Sequence, residues 1–558
     1  MSTLHYGCNR TGSGTALLGL LAGLVATPAA ALNGQTPLGL ATLNGWKAIE
    51  ILSQGDSLAG VADPGFGSVA THATYDGLGI YPRADSLSVW INHETSQAAI
   101  TRVELDPDAL RQQIEYVRNG LAVGATTPVI GAGFAYETIF DGGYDAQSDP
   151  APVAVGPVEV AAYGAANFSR FCSGTSHHAL AFDGARGFVD SIYLTGEEVN
   201  GGYFYALDEA TRTLWEATDL GRSSWENAAA VDTGETAHVA LILSPDVGSG
   251  VGDYIRLYVG EKGIDANADG EIDFLERNGL RGGTTYLFKP SSGSKSDLPD
   301  GTVSGFWTTI ADAPNALLEK KLEDVHTNPR DGTEVVLGAQ LDGVYRMKVD
   351  LTFTESGDFD RANSPVSLTQ IDDNSTAPIG APDNVTWSYD GMIYVQEDGD
   401  GDGIFQIDRD GGSRVQIAAA GSEPSGVIDA SIELGYQPGS VLMTSLQGSG
   451  SSGAQLGLLI SPDAAPLLPG DYDLDGDADL NDLAAWQVAY GSTGFSLADG
   501  NRDGSVNAAD YTVWRDAYAN NAVATPEGAS LGMAALGLVA AGATRRRRAR
   551  VRRAPVDL

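Results

Sequence analysis

The sequence predicts an all-β chain, a β-propeller, with a small α-helical module at its C-terminus. Between Trp46 and Ser461, short apolar or alternating runs recur and are separated by Gly, Asp, Asn and Pro, which is the pattern of strands joined by turns. The 71 Gly and 24 Pro residues favour many turns over long helices. Strands repeated over about 400 residues indicate a propeller, whose radial sheets protect one another's edges.

Ten runs indicate strands most clearly, and one segment indicates a helix inserted between strands, at Asp106–Arg118. The predicted strands are Leu87–Asn92, Ser191–Thr195, Tyr203–Leu207, His238–Leu243, Tyr254–Val259, Thr285–Lys289, Glu334–Gly338, Val344–Val349, Met392–Gln396 and Ser440–Leu446. Hydrophobic residues make up 42% of the chain, which excludes wholesale disorder.

The charge balance excludes one large class of partner. The chain has 73 Asp and Glu against 33 Lys and Arg, a formal net charge of −40. Nucleic acid is therefore not an expected partner, because phosphate recognition needs a positive surface. The same excess of carboxylates suits a protein that collects cations.

Both ends of the chain predict export. Met1–Ala31 contains Arg10, the apolar run Ala16–Ala26 and then Ala29-Ala30-Ala31, the order of a secretory signal peptide and its cleavage site. Removing it also removes Cys8, which leaves Cys172 as the only cysteine and no internal disulfide. Stability must then come from a large core or from metal ions.

The C-terminal tail has three parts in order: Thr525-Pro526-Glu527-Gly528, the apolar run Ala529–Ala543, and an arginine cluster from Arg545 to Arg553. This layout resembles the PEP-CTERM sorting signal. The resemblance implies a protein at the cell surface or outside the cell, transiently membrane-anchored through this tail and recognised by sorting machinery. A tail that is a simple membrane anchor is the alternative.

Two acidic loops in the C-terminal module have the spacing of calcium loops. Oxygen-bearing residues fall at positions 1, 3, 5, 7, 9 and 12, with Gly476 or Gly504 at position 6 to allow the sharp turn. The ligands are Asp471, Asp473, Asp475, Asp477, Asp479 and Asp482 in the first loop, and Asp499, Asn501, Asp503, Ser505, Asn507 and Asp510 in the second. The paired loops, each followed by a helical pattern, resemble a dockerin type I module, which implies bound Ca²⁺ and a cohesin-like partner.

A third loop with this spacing lies inside the propeller region, between two predicted strands. Its ligands are Asp265, Asn267, Asp269, Glu271, Asp273 and Glu276, with Gly270 at position 6. Asp398, Asp400 and Asp402 begin a similar pattern, but Arg409 occupies position 12, so a calcium site and a solvated acidic turn both stay open there. The predicted organisation is a signal peptide (1–31), a propeller (32–461), a linker (462–469), a dockerin-like calcium-binding module (470–521) and a sorting tail (525–558).

Several segments of the propeller region together resemble the PhoX-type alkaline phosphatases and their phytase-like relatives, which are secreted β-propellers. The segments occur in the family's order. They are Asn92-His93-Glu94, Arg170–Thr175, Tyr193–Glu198, Tyr258–Lys262, Leu322–Val325, Pro382-Asp383-Asn384 and Gln396–Gly399. The resemblance implies metal-dependent hydrolysis of phosphoesters in a funnel on the propeller axis, with calcium and, in PhoX itself, iron.

Carried over residue by residue, the resemblance assigns metal ligands at Glu197, Glu198, Glu226, Asp246, Glu323 and Glu397, and catalytic roles to Glu198, Glu323 and Lys321. Two positions depart from the family. Gly196 stands where the family has a cysteine that bridges iron, so the resemblance does not extend to the iron pair. Lys321-Leu322-Glu323-Asp324 stands where phosphatases have Arg-Pro-Glu-Asp, and lysine cannot grip two phosphate oxygens as a planar guanidinium can.

A non-catalytic function stays open beside the enzymatic one. In that alternative the same acids hold structural calcium, and the propeller binds exopolysaccharide or another surface matrix. Cys172 is interpreted as a small buried residue. His177 and His178 are interpreted as structural, because consecutive residues of a strand point to opposite faces.

Overall fold

The computed structural model describes residues 38–56, 74–121, 127–140, 158–159, 168–247, 253–292, 298, 301–319, 321–373, 379–398, 403–448 and 453–524. The predicted signal peptide and sorting tail lie outside these residues. Strands dominate the described part of the chain, which confirms the all-β class.

The described strands, numbered in chain order, are β1 (Leu40–Thr42), β2 (Lys47–Ser53), β3 (Tyr75–Pro82), β4 (Leu87–His93), β5 (Ile100–Leu105), β6 (Val129–Phe134), β7 (Thr138–Phe140), β8 (Val158–Glu159), β9 (Phe171–His177), β10 (Ile192–Glu197), β11 (Phe204–Asp208), β12 (Thr213–Glu216), β13 (Trp225–Val231), β14 (His238–Pro245), β15 (Asp253–Tyr254), β16 (Arg256–Glu261), β17 (Thr284–Pro290), β18 (Thr302–Thr309), β19 (Leu318–Glu319), β20 (Leu322–Thr327), β21 (Glu334–Ala339), β22 (Gly343–Val349), β23 (Val366–Asp373), β24 (Pro382–Trp387), β25 (Met392–Glu397), β26 (Gly403–Asp408), β27 (Arg414–Ala420), β28 (Pro424–Asp429), β29 (Val441–Leu446) and β30 (Gln455–Ile460). The α-helices are α1 (Pro107–Arg118), α2 (Phe274–Arg277), α3 (Ser431–Leu434), α4 (Leu480–Ala489) and α5 (Ala508–Ala524).

These strands form six antiparallel blades around one axis. In chain order the blades are β3 to β6; β9 to β12; β13, β14, β16 and β17; β20 to β23; β24 to β27; and β28 to β30 with β2. The first strand of each blade contacts the first strand of the next, and β28 contacts β3, which closes the ring. The architecture is therefore a six-bladed β-propeller, with β18 joining the outer edges of the third and fourth blades.

The last blade is completed by a strand from the other end of the chain. β2 pairs antiparallel with β30, from Lys47 opposite Ile460 to Ser53 opposite Gln455. This pairing covers the edge that β30 would otherwise expose and ties the two ends of the propeller together.

Apolar side chains fill the space between each pair of neighbouring blades, and a tryptophan lies in five of these six interfaces. Trp90 lies between the first and second blades, Trp225 between the second and third, Trp307 between the third and fourth, Trp387 between the fourth and fifth, and Trp46 between the fifth and sixth. The core is thus a ring of six apolar layers, and each blade is stabilised by both of its neighbours.

The predicted strands appear with ends within two residues of those expected, except that Ile255 separates β15 from β16 in the predicted strand Tyr254–Val259. The predicted helix also forms, between β5 and β6. Asp106 caps it, because its carboxylate accepts hydrogen bonds from the backbone N–H groups of Asp108 and Ala109 at 2.9 and 3.1 Å.

The C-terminal module has a small core of its own around Tyr472, Val506 and Trp514. The segment 462–469 that leads to it lies against the propeller: Gln437 donates a backbone hydrogen bond to Ala465 at 2.7 Å, and Leu467 donates one to Gly435 at 2.9 Å. None of the helices in the described part of the chain is both long and apolar enough to cross a membrane.

We expect ring closure through β2 to control the stability of the whole propeller. Ile49 of β2 is 3% exposed between the last and first blades, whereas Ile130 of β6 is 53% exposed. Ile49→Ala should lower the free energy of unfolding by about 2–5 kcal/mol, and Ile130→Ala by about 0.5 kcal/mol or less. Urea denaturation of both variants measures the difference, and equal losses would contradict this account of closure.

Candidate metal centre

The starts of the six innermost strands lie at one end of the axis and bring acidic side chains together. Five of these strands have a carboxylate or thiol as their second residue, and Glu423 immediately precedes the sixth, β28. The five are Asp76 (β3), Cys172 (β9), Glu226 (β13), Glu323 (β20) and Asp383 (β24). They line one mouth of the axial channel, which we call the funnel.

A β-bulge accompanies the start of every innermost strand. The pairing with the second strand of the blade shifts register near the start of β3, β9, β13, β20, β24 and β28, with the extra residue on the innermost strand each time. A bulge inserts one unpaired residue and changes the direction of the neighbouring side chain. We attribute the inward direction of the funnel acids to this repeated irregularity.

A second ring of polar residues surrounds the first. Each member immediately follows the second strand of its blade, so all six occupy equivalent positions in the propeller. They are Glu94, Glu198, Asp246, Gln340, Asp398 and Gln447. Together with Glu423, the two rings place nine carboxylates and one thiol around the funnel.

Two cationic side chains offset part of this negative charge. Arg170 forms ion pairs with Glu94, at 2.5 Å, and with Glu198. Lys321 lies 2.6 Å from Asp246 and 3.1 Å from Glu323. Arg170 and Lys321 each immediately precede an innermost strand and have a left-handed backbone, with φ of 52° and 54°.

Burial, and then repulsion between neighbours, raises the pKa of the funnel carboxylates. The pKa of Glu198 rises to about 7 and that of Glu423 to about 8, with burial the largest cause in both. Burial also raises the pKa values of four more carboxylates well above the usual range, and neighbouring carboxylates add to the effect at Asp76, Glu226, Glu323 and Asp383. Without bound cations, the funnel therefore retains protons at neutral pH.

The donor atoms in the funnel are close enough to share cations. Within each of three groups they lie within 4.8 Å of one another: Asp76, Glu94 and Cys172; Cys172, Glu198 and Glu226; and Glu226, Glu323 and Asp383. Shared members link the three groups, and the buried Asp246 Oδ1 accepts no hydrogen bond from the described residues. Carboxylate oxygens suit Ca²⁺, and a thiolate also suits iron or zinc. The residues present therefore fit a cluster of cations.

Cys172 is buried, as the sequence suggested, and it also lines the funnel. Its Sγ donates a hydrogen bond to Glu198 Oε2 at 2.7 Å, and burial, followed by repulsion from Glu226 and Glu198, raises the pKa of the thiol. Gly196 does not line the funnel, and a Cβ there would lie 2.4 Å from Cβ of Trp225, in the apolar layer between the second and third blades. The funnel thus has a thiol, supplied by β9 rather than by position 196.

Two of the predicted ligands, Glu197 and Glu397, do not line the funnel. Glu197 accepts hydrogen bonds from the Ser169 backbone at 3.1 Å and the Tyr205 hydroxyl at 3.4 Å. Glu397 accepts from the Gly380 and Gly403 backbones at 2.5 and 3.2 Å. Successive residues at a strand end point in opposite directions, so the following residues, Glu198 and Asp398, face the axis instead.

The structure brings Glu198, Glu226, Asp246, Lys321 and Glu323 together, as the sequence assignment expected. Sequence reasoning missed Asp76, Glu94, Arg170, Asp383, Asp398 and Glu423 as funnel residues. Their common signal is position, either beside the start of a first strand or just after the end of a second strand. That signal becomes readable only when the blade boundaries are known.

The three predicted calcium loops share one backbone conformation. In each, the position-1 carboxylate accepts hydrogen bonds from the N–H groups of positions 5 and 6, and the position-12 carboxylate accepts from positions 3 and 9. Position 4 is left-handed in all three, with φ of 58° at Leu474, Arg502 and Ala268, and a left-handed glycine follows at position 6. This is the sharp turn that an oxygen-lined cation loop requires.

No protein-family model and no curated protein match this chain. Among solved structures, a putative 6-phosphogluconolactonase from Bacteroides fragilis has 12% identity and a TM-score of 0.29, and the match covers 72% of this chain and 84% of that one. A lectin from Burkholderia pseudomallei has 10% identity and a TM-score of 0.32, over 70% of this chain and 99% of that one. Likenesses this distant support no inference about activity, and the propeller assignment rests on the sheet order described above.

We expect the metal-free protein to lose stability as the pH rises from 7 to 9. Glu198 and Glu423 have pKa values raised to about 7 and about 8 in the folded state, so the protons they hold stabilise that state, and this contribution disappears as they ionise. Thermal unfolding in chelator at both pH values measures the loss, and Glu423→Gln should reduce it. A melting temperature that rises over this interval would contradict the account.

Proposed function

We propose that this chain is an exported, metal-dependent phosphoesterase resembling the PhoX-type phosphatases, with calcium among its cations. The observation that carries the proposal is the convergence of nine carboxylates and a thiol on a funnel with Arg170 and Lys321 at its rim. A funnel with so many acids repels a phosphate ester. Bound cations would reverse its charge, so metal binding must precede substrate binding.

The metal ligands in this proposal are the residues whose donor atoms form the three linked groups: Asp76, Glu94, Cys172, Glu198, Glu226, Glu323 and Asp383. Cations held there would supply the positive charge that binds phosphate oxygens and lowers the pKa of an attacking water molecule. Asp246, with one oxygen paired to Lys321 and the other without a hydrogen bond from the described residues, is a further candidate ligand.

Arg170 and Lys321 are the groups that would contact substrate directly. The Arg170 side chain is 45% exposed at the funnel mouth, and its planar guanidinium can take two phosphate oxygens. Lys321 is more enclosed and contributes a point charge beside Glu323. Burial tends to lower the pKa of Lys321, but Glu323 and Asp246 outweigh it and keep the amine protonated. Arg170 thus offers the guanidinium that position 321 lacks.

One observation favours the non-catalytic alternative, a calcium-stabilised surface or matrix-binding protein. Both cationic side chains of the funnel are already engaged, Arg170 by Glu94 and Glu198, and Lys321 by Asp246 and Glu323. Cationic side chains that are fully paired with carboxylates are also expected in a site whose metal ions are purely structural. The activity assay below separates the two functions.

The three loops are proposed calcium sites, and the C-terminal module a dockerin-like unit with a cohesin-like partner. The two position-12 carboxylates of the module, Asp482 and Asp510, are fully buried and organise their loops through backbone hydrogen bonds. A proposed loop in the propeller, ending at Glu276, would fix the excursion between β16 and β17.

Export to the cell surface belongs to the same proposal, with cleavage after Ala31 and sorting through the C-terminal tail. Mass spectrometry of the surface protein tests both steps. Cell-surface protein that still carries Arg545–Arg553 would indicate a simple membrane anchor instead.

Glu198 and Glu197 form a matched pair for testing the funnel. Glu198→Gln removes a charge from the funnel, so metal content and hydrolysis of p-nitrophenyl phosphate should fall together, the rate by at least about 10-fold. Glu197→Gln changes the adjacent carboxylate, which lies outside the funnel and only accepts hydrogen bonds. Its metal content and rate should stay close to those of the wild type.

The controls for this assay include the metal itself. Element analysis of the purified chain fixes which cations are bound, and activity is measured between pH 7 and 10 with and without chelator. A fully metal-loaded wild type that hydrolyses neither a phosphomonoester nor a phosphodiester would refute the enzymatic function and leave the structural one.

We expect calcium to hold the C-terminal module together. Saturating Ca²⁺ at about 100 times its Kd should stabilise the folded module by about 2.7 kcal/mol per site, and chelator should reduce the helical circular dichroism from α4 and α5. Asp482→Ala should remove one site, whereas Asp516→Ala, which changes a 63%-exposed carboxylate outside the loops, should not. Identical melting curves with Ca²⁺ and with chelator would contradict this expectation.

A further inference from the structure

The axial channel contains a second cavity at the end opposite the funnel. Its volume is about 180 Å³, and it is lined by the middles and ends of the innermost strands rather than their starts. A buried polar layer separates the two: Asn384 donates to Ser173 Oγ at 2.6 Å and Asn227 donates to Thr175 Oγ1 at 2.8 Å. We call this space the axial cavity.

The axial cavity offers aromatic rings and uncharged imidazoles. Its aromatic lining includes Phe182, Phe188, Trp387, Tyr389 and Phe495. The imidazoles of His177, His178 and His326 also line it, and burial lowers their pKa values to about 3, 4 and 4. They are therefore neutral at physiological pH and can both donate and accept hydrogen bonds.

The side chains around the axial cavity favour a neutral ligand over an ionic one. No lysine or arginine is among the described residues that line it, so an anion would find no counter-charge. Asp324 and Asp429 already accept several hydrogen bonds from the chain, including Asn227 to Asp324 and Ser388 to Asp429. Burial raises the pKa of Glu433 to about 8, so this side chain is largely uncharged. A neutral ligand is what remains.

Three buried polar atoms of lining residues have no hydrogen-bond partner among the described residues. They are Nε1 of Trp387, a residue that is only 2% exposed, Nδ1 of His178 and Oε2 of Glu433. An indole N–H can only donate, and a buried donor without a partner costs stability. A ligand oxygen would satisfy it.

The size of the axial cavity limits the ligand to one ring. An engineered apolar cavity of about 150 Å³ holds benzene, and the axial cavity is slightly larger, at about 180 Å³. It can therefore take a six-membered ring with one small substituent.

The C-terminal module covers the mouth of the axial cavity. Phe495, from the connection between the two acidic loops, stacks on His178 with ring centroids 4.1 Å apart and an interplanar angle of 12°. Arg330 of the propeller donates to the carbonyl oxygens of Asp473 and Leu474 at 3.4 and 3.1 Å, which fixes the module in this place. A ligand would enter beside Phe495.

We propose that the axial cavity is a binding site for a neutral single-ring aromatic molecule with one hydroxyl group, whose oxygen accepts a hydrogen bond from Trp387 Nε1. This site is independent of the funnel and of the phosphoesterase proposed above. In these two proposals the axial cavity binds a neutral aromatic molecule, and the funnel binds cations.

The test compares two fluorinated probes by ¹⁹F NMR, 4-fluorophenol and fluorobenzene, which lacks the hydroxyl group. Wild type should bind both, and Trp387→Phe should weaken 4-fluorophenol by roughly 2- to 10-fold, the range of one hydrogen bond, while changing fluorobenzene less. Trp307→Phe is the matched control, because Trp307 is also fully buried with an unpartnered Nε1 but lies outside the axial cavity. It should leave both affinities unchanged.

Further arms decide the outcome. Phe495→Ala should speed probe exchange, because Phe495 lies at the mouth of the axial cavity. The charged probes 4-fluorobenzoate and 4-fluorobenzylammonium should bind at least about 10-fold more weakly than 4-fluorophenol, because their charge must be desolvated. Failure of wild type to bind either neutral probe, equal effects of the two tryptophan variants, or preferred binding of a charged probe would each overturn the proposal. Metal content and phosphatase activity of Trp387→Phe should match wild type, so failure here is distinguishable from failure of the proposed function.

Discussion

Repulsion among carboxylates at one mouth of the channel is the constraint on which the functional part of this molecule depends. Propeller geometry brings six strand starts to one end of the axis, and five of these starts carry an acid or thiol as their second residue. Two cationic side chains cannot neutralise nine carboxylates. The folded chain must therefore hold protons or bind cations, and the metal chemistry proposed for it follows from this topology.

The backbone is also irregular around the funnel. Thr74, Arg170 and Lys321 each precede an innermost strand with a left-handed φ of 58°, 52° and 54°. Residues other than glycine adopt this conformation at a cost of about 1 kcal/mol or more. At two of these positions the conformation accompanies a cationic side chain directed at the acids, so local strain and charge compensation occur together.

The channel differs sharply in character along its length. One end is acidic and, in the proposal, filled with cations. The other is lined by aromatic rings and neutral imidazoles and is covered by the C-terminal module. A layer of hydrogen-bonded asparagines lies between them, including Asn227 and Asn384.

Local patterns determined much of this protein from sequence alone. Strand ends, the helix capped by Asp106 and the three acidic loops were all predictable, because alternation, capping and ligand spacing operate within about a dozen residues. The acidic residues Glu198, Glu226, Asp246 and Glu323 were assigned to the funnel through a family resemblance, and the structure does bring them together.

Only the tertiary structure decided which of two neighbouring acids faces the axis. Glu198 rather than Glu197, and Asp398 rather than Glu397, turn inward because of the direction of the chain where each second strand ends. The thiol of Cys172 enters the funnel, while position 196 packs against Trp225 between the second and third blades. These outcomes depend on strands paired across a bulge and on contacts between separate blades. Local sequence patterns do not show which residues of other blades a side chain will contact. The fold class was therefore predictable, but only some of the residues that line the funnel were.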